Sequence, residues 1–177
     1  MASKKHYVMV SITLGSIAAA SALLIGGANY LTREKIKQNE INNINRGIDA
    51  IFGESAEIIE QKEIANESYK YVTYYYGVAK EGSGENIGVA YRTTGSNMYG
   101  KISLLVGFNL SNEFVSISVI SDEQTYAQTL TDNYIEPVQD GTRGYNEVDC
   151  GATYGAKLIR DMIDDASKAN EMKIWKD

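Results

Sequence analysis

Cysteine and histidine each occur once in the 177 residues. A lone Cys150 excludes an internal disulfide, and it excludes any cysteine-cluster zinc or iron–sulfur site within one chain. The lone His6 lies in the N-terminal tail, so the folded part has no imidazole ligand and no histidine base. Ser-His-Asp and Cys-His hydrolases are therefore excluded, as are zinc enzymes that need imidazole. Basic residues are in deficit. Against 23 Asp+Glu stand 17 Lys+Arg, giving a formal net charge of −6 and a pI near 4.9. Nucleic-acid binding needs clustered Lys/Arg to displace counterions, and this balance argues against it. The sequence has no internal repeat and no low-complexity tract. Its 44% hydrophobic and 23% charged residues are ordinary for a chain with one globular core. The length allows one domain of typical size plus an appendage.

One long apolar run is present. From Tyr7 to Thr32 no residue is charged. About 20 apolar residues cross a bilayer as a helix, so the run is long enough with some tilt. Lys4 and Lys5 precede it, and Arg33, Lys35 and Lys37 follow. Both flanks are positive, so counting Lys/Arg does not by itself settle orientation. A short basic N-terminus before a long domain favours an N-in arrangement with the bulk outside the cytoplasm. The rival reading is a cleavable signal peptide, with small residues at Ala18–Ala22 and Gly26–Ala28 as candidate cleavage sites. The apolar run exceeds the usual signal core of about 7–15 residues, which favours a retained anchor. No cysteine follows it, which excludes a lipoprotein anchor there.

Residues 33–52 place Ile36, Ile41, Ile44, Ile48, Ile51 and Phe52 on one helical stripe, with Gly53 as the stop. This predicts a stalk helix that continues from the anchor and docks on the domain. Residues 69–79, rich in tyrosine and valine, read as a strand, and the Gly-rich stretch 80–86 as a turn. Further strands are predicted at 87–94, 101–108 and 114–121, the last two joined as a hairpin. In the last strand Val115, Ile117 and Val119 alternate with Ser116, Ser118 and Ile120, which predicts one buried face. Tyr74, Tyr75 and Tyr76 are consecutive and cannot share one face of a strand. The tyrosines in general read as core on one side and amphipathic surface on the other rather than as a stacking platform. Residues 122–148 show no clear periodicity and read as an irregular stretch where a binding loop lies. From Thr153, the residues Leu158, Ile159, Met162, Ile163 and Ala166 fall at helical spacing. Helix, meander, loop, helix is an α+β order rather than alternating βαβ.

The segment Glu147-Val-Asp-Cys-Gly-Ala-Thr-Tyr-Gly-Ala156 leads from a loop into that last helix. Taken alone, it reads as a glycine turn followed by a threonine that caps backbone N–H groups. The same N–H groups and the helix dipole would also favour a phosphate. Cys150 reads as a small residue replacing serine in a tight turn. A helix N-terminus lowers a thiol pKa, but Glu147 and Asp149 act against that.

Here the chain resembles the membrane-anchored FMN-binding domains. These include the G subunit of the Rnf ferredoxin:NAD oxidoreductase and the C subunit of the sodium-pumping NADH:quinone oxidoreductase. Their flavinylation motif is Asp-x-x-Ser/Thr-Gly-Ala-Thr, and Gly151, Ala152 and Thr153 match its last three residues. Similarity at the level of pattern extends over 29–40, 84–109 and 114–125. The resemblance implies that Thr153 carries FMN through a phosphoester installed by a separate flavin transferase. It implies an N-terminal transmembrane anchor at 1–32 and an extracytoplasmic, antiparallel-sheet FMN-binding domain at 33–177. It further implies a cell-membrane, single-pass electron-transfer subunit of an Rnf-type, ion-motive complex, working beside integral membrane subunits with their own redox centres. The flavin would supply the chemistry, which suits a domain without a histidine base.

Several positions depart from the family pattern. Glu147 stands in place of Asp, Cys150 in place of Ser/Thr, and Gly155 where many members have Ser/Thr. The flavin-side loop, close to Glu-Thr-Pro-Gly-Leu-Gly in the family, is here Gln124-Thr125-Tyr126-Ala127-Gln128-Thr129. Only Thr125 survives. A flavin would then bind differently, with Tyr126 beside it. Two alternatives stay open: a stand-alone flavin carrier for extracellular electron transfer, and a diverged non-redox module for interaction or assembly.

Overall fold

The computed structural model describes residues 4–64 and 69–172. The chain divides into two compact units, Met1–Ile41 and Asn42–Asp177. The first is helical. Helix α1 runs Lys4–Phe52, and its uncharged stretch is long and apolar enough to cross a membrane. Here Leu23, Leu24 and Ile25 are more than 70% exposed, as lipid-facing side chains of a lone span would be. Gly53, at φ 99°, ends α1 as predicted, and its N–H bonds the Asp49 carbonyl at 2.8 Å.

The second unit is a three-layer α+β domain built around one sheet. Strands β1 (Ala56–Glu63), β2 (Val72–Lys80), β3 (Asn86–Asn97), β4 (Gly100–Asn109) and β5 (Phe114–Asp122) form an antiparallel meander in the order β1-β2-β3-β4-β5. Four of the five strands lie where the sequence placed them, and 114–121 pairs with 101–108 as a hairpin. β1 was not predicted. It is an edge strand whose sequence, AEIIEQKE, is mostly charged or polar and mostly exposed.

Each face of the sheet carries a helix. Ile44, Ile48 and Ile51 of α1 pack on Tyr76, Val78, Ala90, Leu105 and Ile120. The stripe predicted over 33–52 buries only this C-terminal part, while Ile36 and Ile41 are exposed. Helix α4 (Thr153–Glu171) covers the opposite face with Leu158, Ile159, Met162, Ile163 and Ala166. A fully buried Leu, Ile or Met side chain contributes roughly 1.5–3 kcal/mol, so packing rather than intrinsic propensity holds this helix. Asp165 of α4 also accepts the backbone N–H groups of Tyr71 and Val72, at 2.7 and 3.4 Å.

Burial on both sides changes the reading of β5. Ile117 faces one core and Ile120 the other, whereas Val115 is 40% exposed. The tyrosine run splits as the pleat demands. Tyr75 packs edge-on against Tyr91, while Tyr74 and Tyr76 stack on the other face.

Residues 127–139, expected to be irregular, are helical: α2 (Ala127–Leu130), a π-helical turn (Thr131–Ile135) and α3 (Glu136–Gln139). Leu130, Tyr134, Ile135 and Val138 are its buried face. Their spacing of four, one and three is an apolar stripe, broken for a reader by the extra residue of the π turn and by Pro137.

Candidate functional site

A cleft opens where three segments meet: the β3–β4 turn, the loop from β5 into α2, and the entrance to α4. Tyr99, Gln124, Tyr126 and Leu130 line one part of it, and Gly151 to Gly155 line the rest. Its empty space, open solvent included, is about 340 Å³.

The entrance to α4 is built differently from the predicted cap. Ala152, not Thr153, is the N-cap residue, and it makes no side-chain capping bond. Its carbonyl takes the N–H groups of Gly155 and Ala156 at 2.9 and 3.1 Å. Thr153 is the first helical residue and is half-buried in the cleft wall. Its hydroxyl has no hydrogen-bond partner among the described residues. The N–H groups of Thr153 and Tyr154 have no partner inside the helix, as at any uncapped first turn. No acid lies in that turn, and no charged side chain lines the cleft among the described residues. An anion there meets the positive pole of a 19-residue helix. Gly151 precedes this turn at φ 81°, a conformation that glycine adopts without strain.

The approach loop is strapped down. Arg143 donates to the carbonyls of Asn133 and Asp149, and Tyr134 donates its hydroxyl to the Tyr145 carbonyl. Burial pushes the Tyr134 phenol well up, so it stays a neutral donor. Glu147 is exposed and 4.0 Å from Arg143. Cys150 is half-buried and packs against the α4-side core rather than lining the cleft.

The loop after β5 closes on the β3–β4 turn. Thr125 donates both its N–H and its hydroxyl to the Tyr99 carbonyl, at 2.8 and 3.0 Å. Gln124 donates its side-chain amide to the Gly100 carbonyl, and its N–H to Asp122 at 2.8 Å. Gly100 sits at φ 137°, where an added Cβ would lie 2.1 Å from the Glu123 carbonyl oxygen. Thr125 is thus a brace between segments, and its neighbours Gln124 and Tyr126 line the cleft instead.

Of the residues singled out in the sequence, Gly151, Ala152 and Thr153 lie in the cleft, while Cys150 and Thr125 flank it. Tyr99, Leu130 and Tyr154 were missed. Tyr99 and Tyr126 pack edge to face at 5.5 Å, and Tyr99 and Tyr154 lie tilted at 5.7 Å. No linear spacing signals this trio, because its members come from three separate segments. Among the described residues no cluster of His, Cys, Asp and Glu is placed to hold a metal ion. No known family model matches the sequence, and no curated protein matches it significantly.

Proposed function

We propose that this chain is a membrane-anchored flavin carrier in which Thr153 bears FMN through a phosphoester. The observation that carries the reading is the entrance to α4. A threonine hydroxyl without a partner stands in a cleft wall at an uncapped helix N-terminus. A phosphate on that oxygen would receive first-turn N–H groups that no side chain caps. The cleft offers no Lys or Arg to hold a phosphate by charge, and a covalent tether makes such a clamp unnecessary. When bound, the isoalloxazine supplies the redox chemistry. The chain's residues hold the phosphate, cover one side of the ring and keep charge away from it.

The resemblance to the Rnf and sodium-pumping oxidoreductase subunits supplies the wider reading. The domain lies outside the cytoplasm, a flavin transferase matures it, and it passes electrons between integral membrane subunits of an ion-motive complex. A tethered flavin cannot diffuse away there, and its local concentration beside its partners stays high. A second reading, a non-redox assembly module, is favoured by the loop after β5. Gln124 and Thr125 give side-chain donors to the Gly100 and Tyr99 carbonyls, which braces the loop.

Intact mass of the full chain purified from a host with a flavin transferase separates the two. The carrier gains one FMN, mapped to the peptide containing Thr153. Thr153→Ala removes the adduct and electron transfer while leaving the unfolding free energy within about 0.5 kcal/mol, since Thr153 caps nothing. An unmodified wild-type chain from such a host overturns the carrier reading.

A further inference from the structure

We propose that Tyr99, Tyr126 and Tyr154 form a cradle that stacks on an electron-poor planar ring and holds it more tightly oxidised than reduced. The identity of that ring as a flavin rests on the function proposed above. The cradle itself rests on the cleft.

Tyr99 is central, with the other two rings 5.5 and 5.7 Å from it. Tyr126 is 56% exposed and Tyr154 61% exposed, so broad aromatic faces stand in water at the cleft mouth. Covering such faces is favourable, and a second aromatic ring covers them best. The backbone beneath them is fixed. Asn97 accepts the Tyr99 N–H at 2.8 Å and donates to the Tyr154 carbonyl at 3.2 Å. Thr125, next to Tyr126, holds the Tyr99 carbonyl with two bonds. The rings are therefore pre-placed, and less order is lost when a ligand arrives. Thr153 lies in the same wall, directly before Tyr154, so a ring tethered there reaches the cradle.

A phenol ring has an electron-rich face, which favours stacking on an electron-poor partner. An oxidised isoalloxazine is electron-poor, and its reduced form is not. A cradle that prefers the oxidised ring lowers its reduction potential. A fivefold preference corresponds to about 20 mV in a two-electron couple.

The test uses the full chain in detergent, matured in a host with a flavin transferase. Flavin emission and midpoint potential are compared for wild type, Tyr126→Ala, Tyr154→Ala and the corresponding Phe variants. With the adduct mass unchanged, each Ala variant is expected to raise emission several-fold, because a stacked tyrosine quenches it. Each is also expected to shift the potential upward by about 20 mV for a fivefold loss of preference. The Phe variants keep the stack and so the wild-type potential. Ala variants that carry the adduct with unchanged emission and potential overturn the cradle and leave the covalent reading standing. A wild-type chain without the adduct overturns the covalent reading instead. Riboflavin titrated into that same chain then decides the cradle. Saturable quenching that weakens about fivefold in the Ala variants supports it, and absence of saturable quenching overturns it.

Discussion

Ala152 at the N-cap of α4 is a poor choice for helix stability. Ser, Thr, Asn or Asp there would contribute about 1 kcal/mol more. The residue able to cap stands one position too late, as the first residue of the helix and part of the cleft lining. A local rule broken at one residue, in a helix otherwise well packed, is where a functional constraint is to be sought. Asp122 breaks a second rule. Its Oδ1 accepts the Gln124 N–H at 2.8 Å, but Oδ2 is buried without a hydrogen-bond partner among the described residues. Burial pushes this carboxyl above its ordinary range, and the Gln124 bond pulls it back only in part. The folded state then holds the proton more tightly than the unfolded chain. Stability from this group is present at low pH and is lost as pH rises from the ordinary carboxylate value through the raised one. Asp122→Asn is accordingly expected to raise the urea midpoint at pH 7 relative to wild type, and the difference should shrink towards pH 3. A variant equal to or weaker than wild type at pH 7 would show that the buried charge costs nothing.

At the scale of elements, the strands with strong β-branched and aromatic content were legible, and so were the C-terminal end of α1 and the start of α4. β1 escaped because an edge strand needs no apolar alternation, and its charged side chains serve to keep other chains off. The helical stretch 127–139 escaped because a π turn adds a residue to the stripe. That stretch sets Leu130 against the α4 entrance, where a Cβ on Gly155 would come within 2.8 Å of it. The other wall depends on how closely the β3–β4 turn approaches the loop after β5. Gly100→Ala combines a φ of 137° with a backbone clash at 2.1 Å. Strain and overpacking together predict a loss of roughly 2–5 kcal/mol, read as a lower urea midpoint. Because Gln124 bonds the Gly100 carbonyl, the same variant should also disturb the cleft and lower flavin incorporation.

For the whole molecule, the division falls between Ile41 and Asn42, and the sheet with both its covering helical segments lies on the C-terminal side. The domain therefore carries its own core. A chain beginning at Asn42 is expected to be soluble and to keep the unfolding midpoint of the full chain. The full chain is expected to remain with membranes through alkaline carbonate washing, as its uncharged helix predicts. N-terminal sequencing of the mature protein checks the rival. A new N-terminus near Ala18–Ala28 would mean that a signal peptide had been removed.

Composition and periodicity by themselves determined the α+β class and the apolar N-terminal helix. They did so because these properties depend on residue counts and on neighbours three or four positions apart. The Gly-Ala-Thr segment singled out in the sequence lies in the lining of the candidate cleft. Only the tertiary structure decided that Thr153 lies past the cap, that Thr125 is a brace, and that Tyr99, Tyr126 and Tyr154 meet. Those relations join a hairpin turn, a loop and a helix start distant in sequence. Packing across the sheet, rather than any local pattern, sets the distances between them.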